Sequence, residues 1–390
     1  MQIVLLDTDI HNHFLPLSYT RSLAEIRIGI LTIHEKWKHY TGKQAAIKTK
    51  NYLQKKYGYT FLNEQNDFLI INSALLPDQQ IYVAVMNLTK GESLYKNGNW
   101  LASYTGNELK IPDNDIKKEY PNEVNILNNL WNIFQYNETE LKKDYLLLTQ
   151  NKKSQPLPQS NTLITDGNYD VFLEEGVTIE ACILNTKQGP IYLGKNSEIM
   201  EGSMLRGPIA IGDNAQIKMG TKMYGATTIG PGCKVGGEIN NSVFFGNSNK
   251  AHDGFIGNSV IGEWCNLGAD TNNSNLKNNY SNVKIWNEHT LEYIDTNLQF
   301  CGAFLADFAR TGINTMLNTG TVAGVFANIF GGDFPPKKIP SFAWGGAAGF
   351  EVFDFDKACA LAEKVKARRN QTFTDTEKEI YRYIFSAIVK

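Results

Sequence analysis

An aliphatic side chain recurs at every sixth position from residue 193 to residue 235: Leu193, Ile199, Leu205, Ile211, Ile217, Met223, Ile229 and Val235. Two positions before each one the residue is mostly small, as at Ser197, Ser203, Ala215, Thr221, Thr227 and Cys233. Three positions after, it is mostly Gly or Asn, as at Asn196, Gly202, Asn214, Gly220 and Gly232. Gly and Asn reach positive φ at low cost, so each beat reads as a short strand closed by a sharp turn. A strand that short cannot bury its apolar side alone, whereas coils stacked on one another can. The pattern predicts a parallel β-helix.

Composition narrows the function classes. The chain has 390 residues, 20% of them charged, with a formal net charge of -2, which argues against a nucleic-acid-binding surface. The five cysteines, Cys182, Cys233, Cys265, Cys301 and Cys359, are odd in number and never form C-x-x-C. Free thiols in a reducing compartment are expected, and neither a disulfide framework nor a zinc ribbon. The opening MQIVLLDTDIHNHF has too short an apolar run for a signal peptide, and no stretch approaches the roughly 18 apolar residues of a membrane span. A soluble cytoplasmic protein without a membrane partner is the plain reading.

Before the repeats, residues 2–6 read as a buried strand, 22–39 as a helix, and 68–72 and 81–86 as further strands. Together they suggest a small α/β domain. Residues 125–147 read as one long amphipathic helix and 150–161 as a linker. The repeats are expected from about Val171, with a two-residue slip at 187–190. The Asn-rich run 271–280 reads as an excursion loop, beats return at Met316 and Val322, and 335–340 is expected to close the solenoid. A helix is expected over 356–369. Thr374 with Glu377 makes a capping box for a last helix reaching Lys390.

The beat breaks between Val235 and Ile261, and the break contains Lys250-Ala251-His252. A histidine near a β-helix turn projects outward, where it is either solvated or placed in a cleft. The surrounding stretch, KAHDGFIGNSVIGEWCNLGADT, resembles the acetyltransferase domain of the bifunctional N-acetylglucosamine-1-phosphate uridyltransferase/glucosamine-1-phosphate acetyltransferase family. Its pattern is His-x-x-Tyr-aliphatic-Gly, then Ile-Gly, then Asn-aliphatic-Gly-Ala. The match from His252 to Asn266 is ungapped, including a five-residue step from Ile256 to Ile261 that breaks the six-residue rule.

The resemblance implies a left-handed winding for the β-helix and His252 as catalytic base. Ungapped extension puts a substrate-binding residue at Lys222, with Glu238, Phe255 and Asn266 beside the acceptor and Ala269 at the acetyl-CoA contact. Arg206 and Lys218 are further basic candidates for a sugar phosphate. Phe255 replaces the family's tyrosine and Asn240 a lysine, departures that bear on the acceptor sugar more than on the reaction. The chemistry implied is acyl transfer from a thioester to an amine, for which His has the suitable pKa near neutrality.

A sugar nucleotidyltransferase normally opens with a glycine-rich loop that cradles the nucleoside phosphates. Here the strand is followed by DTDIHNHFLPLSYTRSLAEIRIG, which keeps Thr20-Arg21 but not the glycines. Arg21 is the candidate phosphate ligand. The usual Mg²⁺-binding Asp falls at Asn72-Ser73, which is not acidic. His11 and His13 give two potential metal ligands, fewer than the three or four that zinc takes.

The chain therefore resembles a divergent branch of the bifunctional family. It divides into a shortened nucleotidyltransferase-like α/β domain (1–118), a helix and linker (119–160), a left-handed β-helix acyltransferase domain (161–350) and C-terminal helices (351–390). The implied reactants are acetyl-CoA, an amino-sugar 1-phosphate and UTP or another NTP, with Mg²⁺ required only if the first domain is active, and the implied assembly is a homotrimer. A non-catalytic reading, in which the β-helix is an oligomerisation scaffold for a sugar-nucleotide-binding head, stays open. A γ-type carbonic anhydrase needs three zinc-binding histidines, and only His252 and His289 lie in the solenoid.

Overall fold

The computed structural model describes residues 1–59, 67–106 and 108–388, which form two compact units. The first contains Met1–Phe14, Thr20–Ile26 and Leu31–Asn129, and the second Leu15–Tyr19, Arg27–Ile30 and Leu130–Lys390.

The first unit is a mixed six-stranded sheet of β1 (Gln2–Leu6), β2 (Ala46–Lys48), β3 (Phe68–Asn72), β4 (Glu92–Lys96), β5 (Asn99–Thr105) and β6 (Ile116–Glu119), in the order 2-1-3-5-4-6. The near-continuous apolar runs of β1 and β3 place them at the centre, parallel to each other. The exposed IKKE of β6 suits an edge. Asp7, at the end of β1, accepts from Ser22 Oγ (3.0 Å), Leu23 N (3.1 Å), Thr49 Oγ1 (2.5 Å) and Ser73 Oγ. One carboxylate thereby ties together the segments that leave the C-terminal ends of three strands.

Two local expectations fail here. Residues 22–39 are not one helix: a 3₁₀ turn at Leu23–Glu25 gives way to irregular chain, and α1 runs only over Ile33–Thr41. Thr32 and Glu35 form a complete capping box, and this fixes the later start. Residues 81–86 are not a strand. They belong to an α-helix, Gln79–Met86, whose first turn is capped by the Asp78 carboxylate accepting from Gln80 N and Ile81 N.

In the second unit the expected long helix is split into α-helices Asn132–Gln135 and Asn137–Thr149. Asn137 opens the longer one, buried, and its side chain joins Gly29 N (2.7 Å) to Ala226 O (2.7 Å). The solenoid follows as three parallel sheets. Face one runs from Thr162–Ile164 to Phe255–Gly257, face two from Val171–Leu173 to Lys338–Ile339, and face three from Thr178–Ile179 to Ala343–Gly346. It therefore begins a strand earlier than Val171. Residues 335–340 do not close it, because Lys338–Ile339 pairs with Val322–Ala323 as another rung.

Every aliphatic of the beat is buried, and so is every small residue two positions earlier. The turn residues Asn196, Gly202, Asn214, Gly220 and Gly232 all have positive φ, between 53° and 73°. The register step is eighteen residues at Ile191↔Ile209↔Thr227 but fifteen at Thr228↔Val243 and seventeen at Val243↔Val260. Shortened corners thus explain the break in the beat. Asn272–Asn273 stays in the stack, pairing with Met316–Leu317, so the excursion starts later than expected and carries the antiparallel hairpin Lys284–Asn287/Glu292–Asp295.

From the sixth coil on, the corner between faces two and three changes character. Trp264, Phe308, Phe326 and Phe342 occupy the positive-φ position that Asn or Gly holds earlier. Their rings form a ladder, with centroids 6.1, 4.6 and 5.3 Å apart in succession. Aromatic residues pay a steric penalty in this conformation. Stacking and burial beneath the C-terminal helices Phe355–Ala367 and Asp375–Ile388 offset it: Tyr381 packs edge-on to Phe308 and Phe326, and Phe385 to Phe342. The last helix starts at the expected capping box, with Glu377 N donating to Thr374 Oγ1 and Thr374 N to Glu377 Oε2.

Candidate functional site

The His252 turn is built from inside the solenoid. Lys250 stands in the inward stack of face three, next to Val235, where earlier coils carry Ile199 and Ile217. It is fully buried, and its ammonium donates to the carbonyl oxygens of His252 (2.6 Å) and Asp253 (2.8 Å). Burial pushes this amine down to about 8, against the opposing pull of Asp253 and Asp270. Gly254 follows at φ 117°, where a Cβ would collide with the Thr271 carbonyl. Phe255 N then donates to Asn272 Oδ1 (2.7 Å) on the next coil.

The exposed imidazole of His252 borders an open cavity of about 480 Å³. Lys218, Met219, Asp253, Ala269 and Asp270 line it as well. His252 and Ala269, seventeen residues apart in the chain, are therefore brought to one cavity, with a lysine among its walls. A histidine held on a fixed turn at an open cavity is positioned to take a proton from a bound nucleophile.

Lys222, Glu238 and Phe255 lie side by side on the outward ladder of face one, on three successive coils. Lys222 Nζ is 3.9 Å from Glu238 Oε2, an exposed pair of small energetic weight. Glu238 also accepts from the Tyr224 hydroxyl at 2.7 Å. Burial, then Glu238, pushes that hydroxyl up to about 12. The Phe255 ring lies over Gly257, where a Cβ would strike it. Beside the ladder a groove of about 430 Å³ is lined by Arg206, Lys222 and Tyr224 and floored by Ile183 and Met204. Sequence reasoning missed Tyr224, although it shares an outward strand face with Lys222 two positions away.

Other candidates stand apart. Asn266 faces outward on face three, accepts from Asn249 Nδ2 (2.9 Å), and lines a different cavity from that of His252. Arg21 belongs to the first unit and is buried at 2% exposure. Its charge acts on Glu25 and Tyr57. Burial alone would raise the Glu25 carboxyl, but the His34 bond and charge, with Lys56 and Arg21 behind them, hold it below the usual range. Lys56 Nζ donates to Thr20 O (2.9 Å) and the His11 ring meets Arg21 O at 3.1 Å, so Thr20-Arg21 is held at its backbone from two sides.

His13 contacts Asn128 O instead (3.2 Å), so the two histidines have different backbone partners. Asn72 donates to Trp100 O (3.0 Å) and Ser73 to Asp7, and these neutral, internally bonded side chains do not fit a resident Mg²⁺. Among the described residues no group of three or more His, Cys, Asp or Glu could hold a metal ion. All five cysteines are free and buried, and no helix among the described residues is long and apolar enough to cross a membrane.

Residues 3–153 match the family described as sugar nucleotidyl transferase. No curated protein is a match for the sequence. Among solved structures, the polysialic acid O-acetyltransferase OatWY is similar at 12% identity and a TM-score of 0.26, over 49% of this chain and 87% of that one.

Proposed function

We propose that the solenoid is an acetyl-CoA-dependent N-acetyltransferase acting on an amino-sugar 1-phosphate, joined to a domain that binds a sugar nucleotide or its precursors, UTP or another NTP. The observation that carries the reading is the His252 turn. A buried lysine fixes its backbone, its imidazole is open to a cavity, and Ala269, the residue matched to the acetyl-CoA contact, lines the same cavity. The family match over residues 3–153 supports the nucleotide-sugar half of the proposal.

In the reaction, the amine of the sugar attacks the thioester carbonyl carbon and His252 removes its proton as the C–N bond forms. The tetrahedral intermediate collapses with cleavage of the C–S bond, and the imidazolium returns the proton to the departing thiolate. Lys222 and Arg206 are the cations suited to the sugar phosphate. Tyr224 and Glu238, joined by a hydrogen bond, supply polar contacts for the sugar. The exposed apolar side chains of Ile183 and Met204 on face one favour lateral self-association, and a closed ring of three solenoids is the proposed assembly.

The test is thiol release from acetyl-CoA in the presence of glucosamine 1-phosphate. His252→Ala is expected to fold, to bind acetyl-CoA by calorimetry, and to lose roughly 10²–10⁴-fold in kcat. Lys222→Ala is expected to raise KM for the phosphorylated acceptor with kcat retained. Wild-type turnover in His252→Ala would overturn the assignment and leave the solenoid as a scaffold.

A further inference from the structure

Face three carries a second cavity, of about 300 Å³, that shares no lining residue with the His252 cavity. Its walls bring together Lys234 and Arg310 from the solenoid strands and Arg368 and Arg369 from the end of helix Phe355–Ala367. Among the described residues no Asp or Glu lines it. Two of the four cations have an ordinary explanation, because basic residues are favourable at a helix C-terminus. That explanation does not extend to Lys234 and Arg310 across the cavity.

Arg310 is the most informative of the four. It occupies an outward strand position between Asn266 and Asn328. Its Nε is buried with no hydrogen-bond partner among the described residues. A buried guanidinium N–H left unpaired is costly, and such groups ordinarily have a ligand or water. Lys234 reports the same imbalance. Burial holds its ammonium below the usual lysine range, Arg369, Lys218 and Arg368 push it further down, and Glu198 opposes them with the smallest pull. Arg369 is oriented by one bond, Nη1 to Gly232 O at 2.6 Å.

We propose that this cavity is a binding site for a phosphate-class oligoanion, held between Arg310 and Lys234 on one side and Arg368 and Arg369 on the other. Guanidinium forks match phosphate oxygens with paired N–H donors, and four cations around one small space suit a pyrophosphate better than a single carboxylate. Asn266, on the same wall, supplies a neutral polar contact and thereby acquires a role apart from His252. Because the cations come from both the strands and the terminal helix, an occupant would join the helix to the solenoid and stabilise the fold by mass action.

The test is calorimetric titration of the full chain with inorganic pyrophosphate at low ionic strength, with Tm followed in parallel. Saturable binding and a raised Tm are expected. Arg310→Gln, and separately the double variant Arg368→Gln/Arg369→Gln, should each weaken binding about tenfold or more, the loss typical of a charge-assisted bond. Lys234→Gln provides a further variant should Arg310→Gln fail to fold. Competition by UTP but not CoA would assign the anion to a nucleotide, and competition by CoA but not UTP to the acyl donor. Competition by both, or by neither, leaves a general pyrophosphate site, and each of these outcomes supports the proposal. Absence of saturable binding, or undiminished binding in all the folded variants, would overturn it. None of these readouts depends on acyl transfer, so the His252 assignment stands or falls separately.

Discussion

The ammonium of Lys250 lies 2.6 Å from the carbonyl oxygen of His252, reaching it from inside the solenoid. A stack that holds aliphatic side chains in the preceding coils here holds a charge, and the charge is spent on the backbone of the turn that presents the imidazole. Lys250→Met keeps the length and apolar stem but removes the donors. Two turn carbonyls then lose their partner, at a cost of about 1–3 kcal/mol each for any that stay buried. The loss of a buried charge offsets part of this. The expected outcome is a folded protein with a modest change in Tm and a kcat at least ~10-fold lower, with KM for acetyl-CoA little altered. Unchanged kcat would mean that the turn holds its geometry without the lysine.

The same residue makes stability depend on pH. The Lys250 amine sits at about 8 in the folded chain, against 10.5 when unfolded. Below about 8 both states carry the proton, and the cost of burying the charge is present in full. Between about 8 and 10.5 the unfolded state binds the proton and the native state does not, so stability rises with pH. The gain is at most on the order of 3 kcal/mol. Denaturant unfolding of wild type and Lys250→Met at pH 7, 9 and 10 should show the difference moving in favour of wild type. A constant difference would contradict the depressed amine.

Asn214 is exposed in a corner at φ 57°. Asn214→Ala is expected to destabilise by about 1 kcal/mol, because Ala tolerates the left-handed region poorly, while Asn214→Gly should be close to neutral. Equal losses in both variants, measured by denaturant midpoint, would point to a side-chain contact instead of backbone strain.

Phe326 sits in the middle of the aromatic ladder, stacked on Phe308, tilted against Phe342 and met edge-on by Tyr381. Phe326→Ala is expected to cost about 3–5 kcal/mol, the usual range for emptying an aromatic site. Phe326→Gly should recover roughly 1 kcal/mol of that, because the backbone strain goes with the side chain. Were Gly the worse of the two, the ladder would not be storing strain at this position.

Much of the solenoid was legible because its interior admits one aliphatic side chain per face and coil, and because its corners demand Asn or Gly. The aromatic corners were not legible, since nothing local distinguishes Phe326 from an ordinary core residue; only the helices packed over it explain why Phe can replace Asn. Short apolar runs misled in the first unit. Ile81, Val83 and Val85 alternate like a strand, yet the Asp78 cap and tertiary packing make them helical. At the candidate site, the spacing around His252 is what singles it out in the sequence. The sequence carries no sign that Lys250 supports this turn, because nothing local marks a lysine for the inward stack and full burial of one is rare. The basic cavity could not be read at all: Arg310 and Arg369 meet only through the docking of the terminal helix.

The last rung of face three, Ala343–Gly346, folds back on itself as Gly349–Val352, and the two pair antiparallel. A parallel coil is a template whose final strand invites the first strand of another copy, and repeated end-to-end addition would make a fibre. The reversal presents an incoming copy with a strand running in the wrong direction. On this face the hairpin acts as a stop signal, so growth along the solenoid axis is disfavoured and association between copies is directed to their sides.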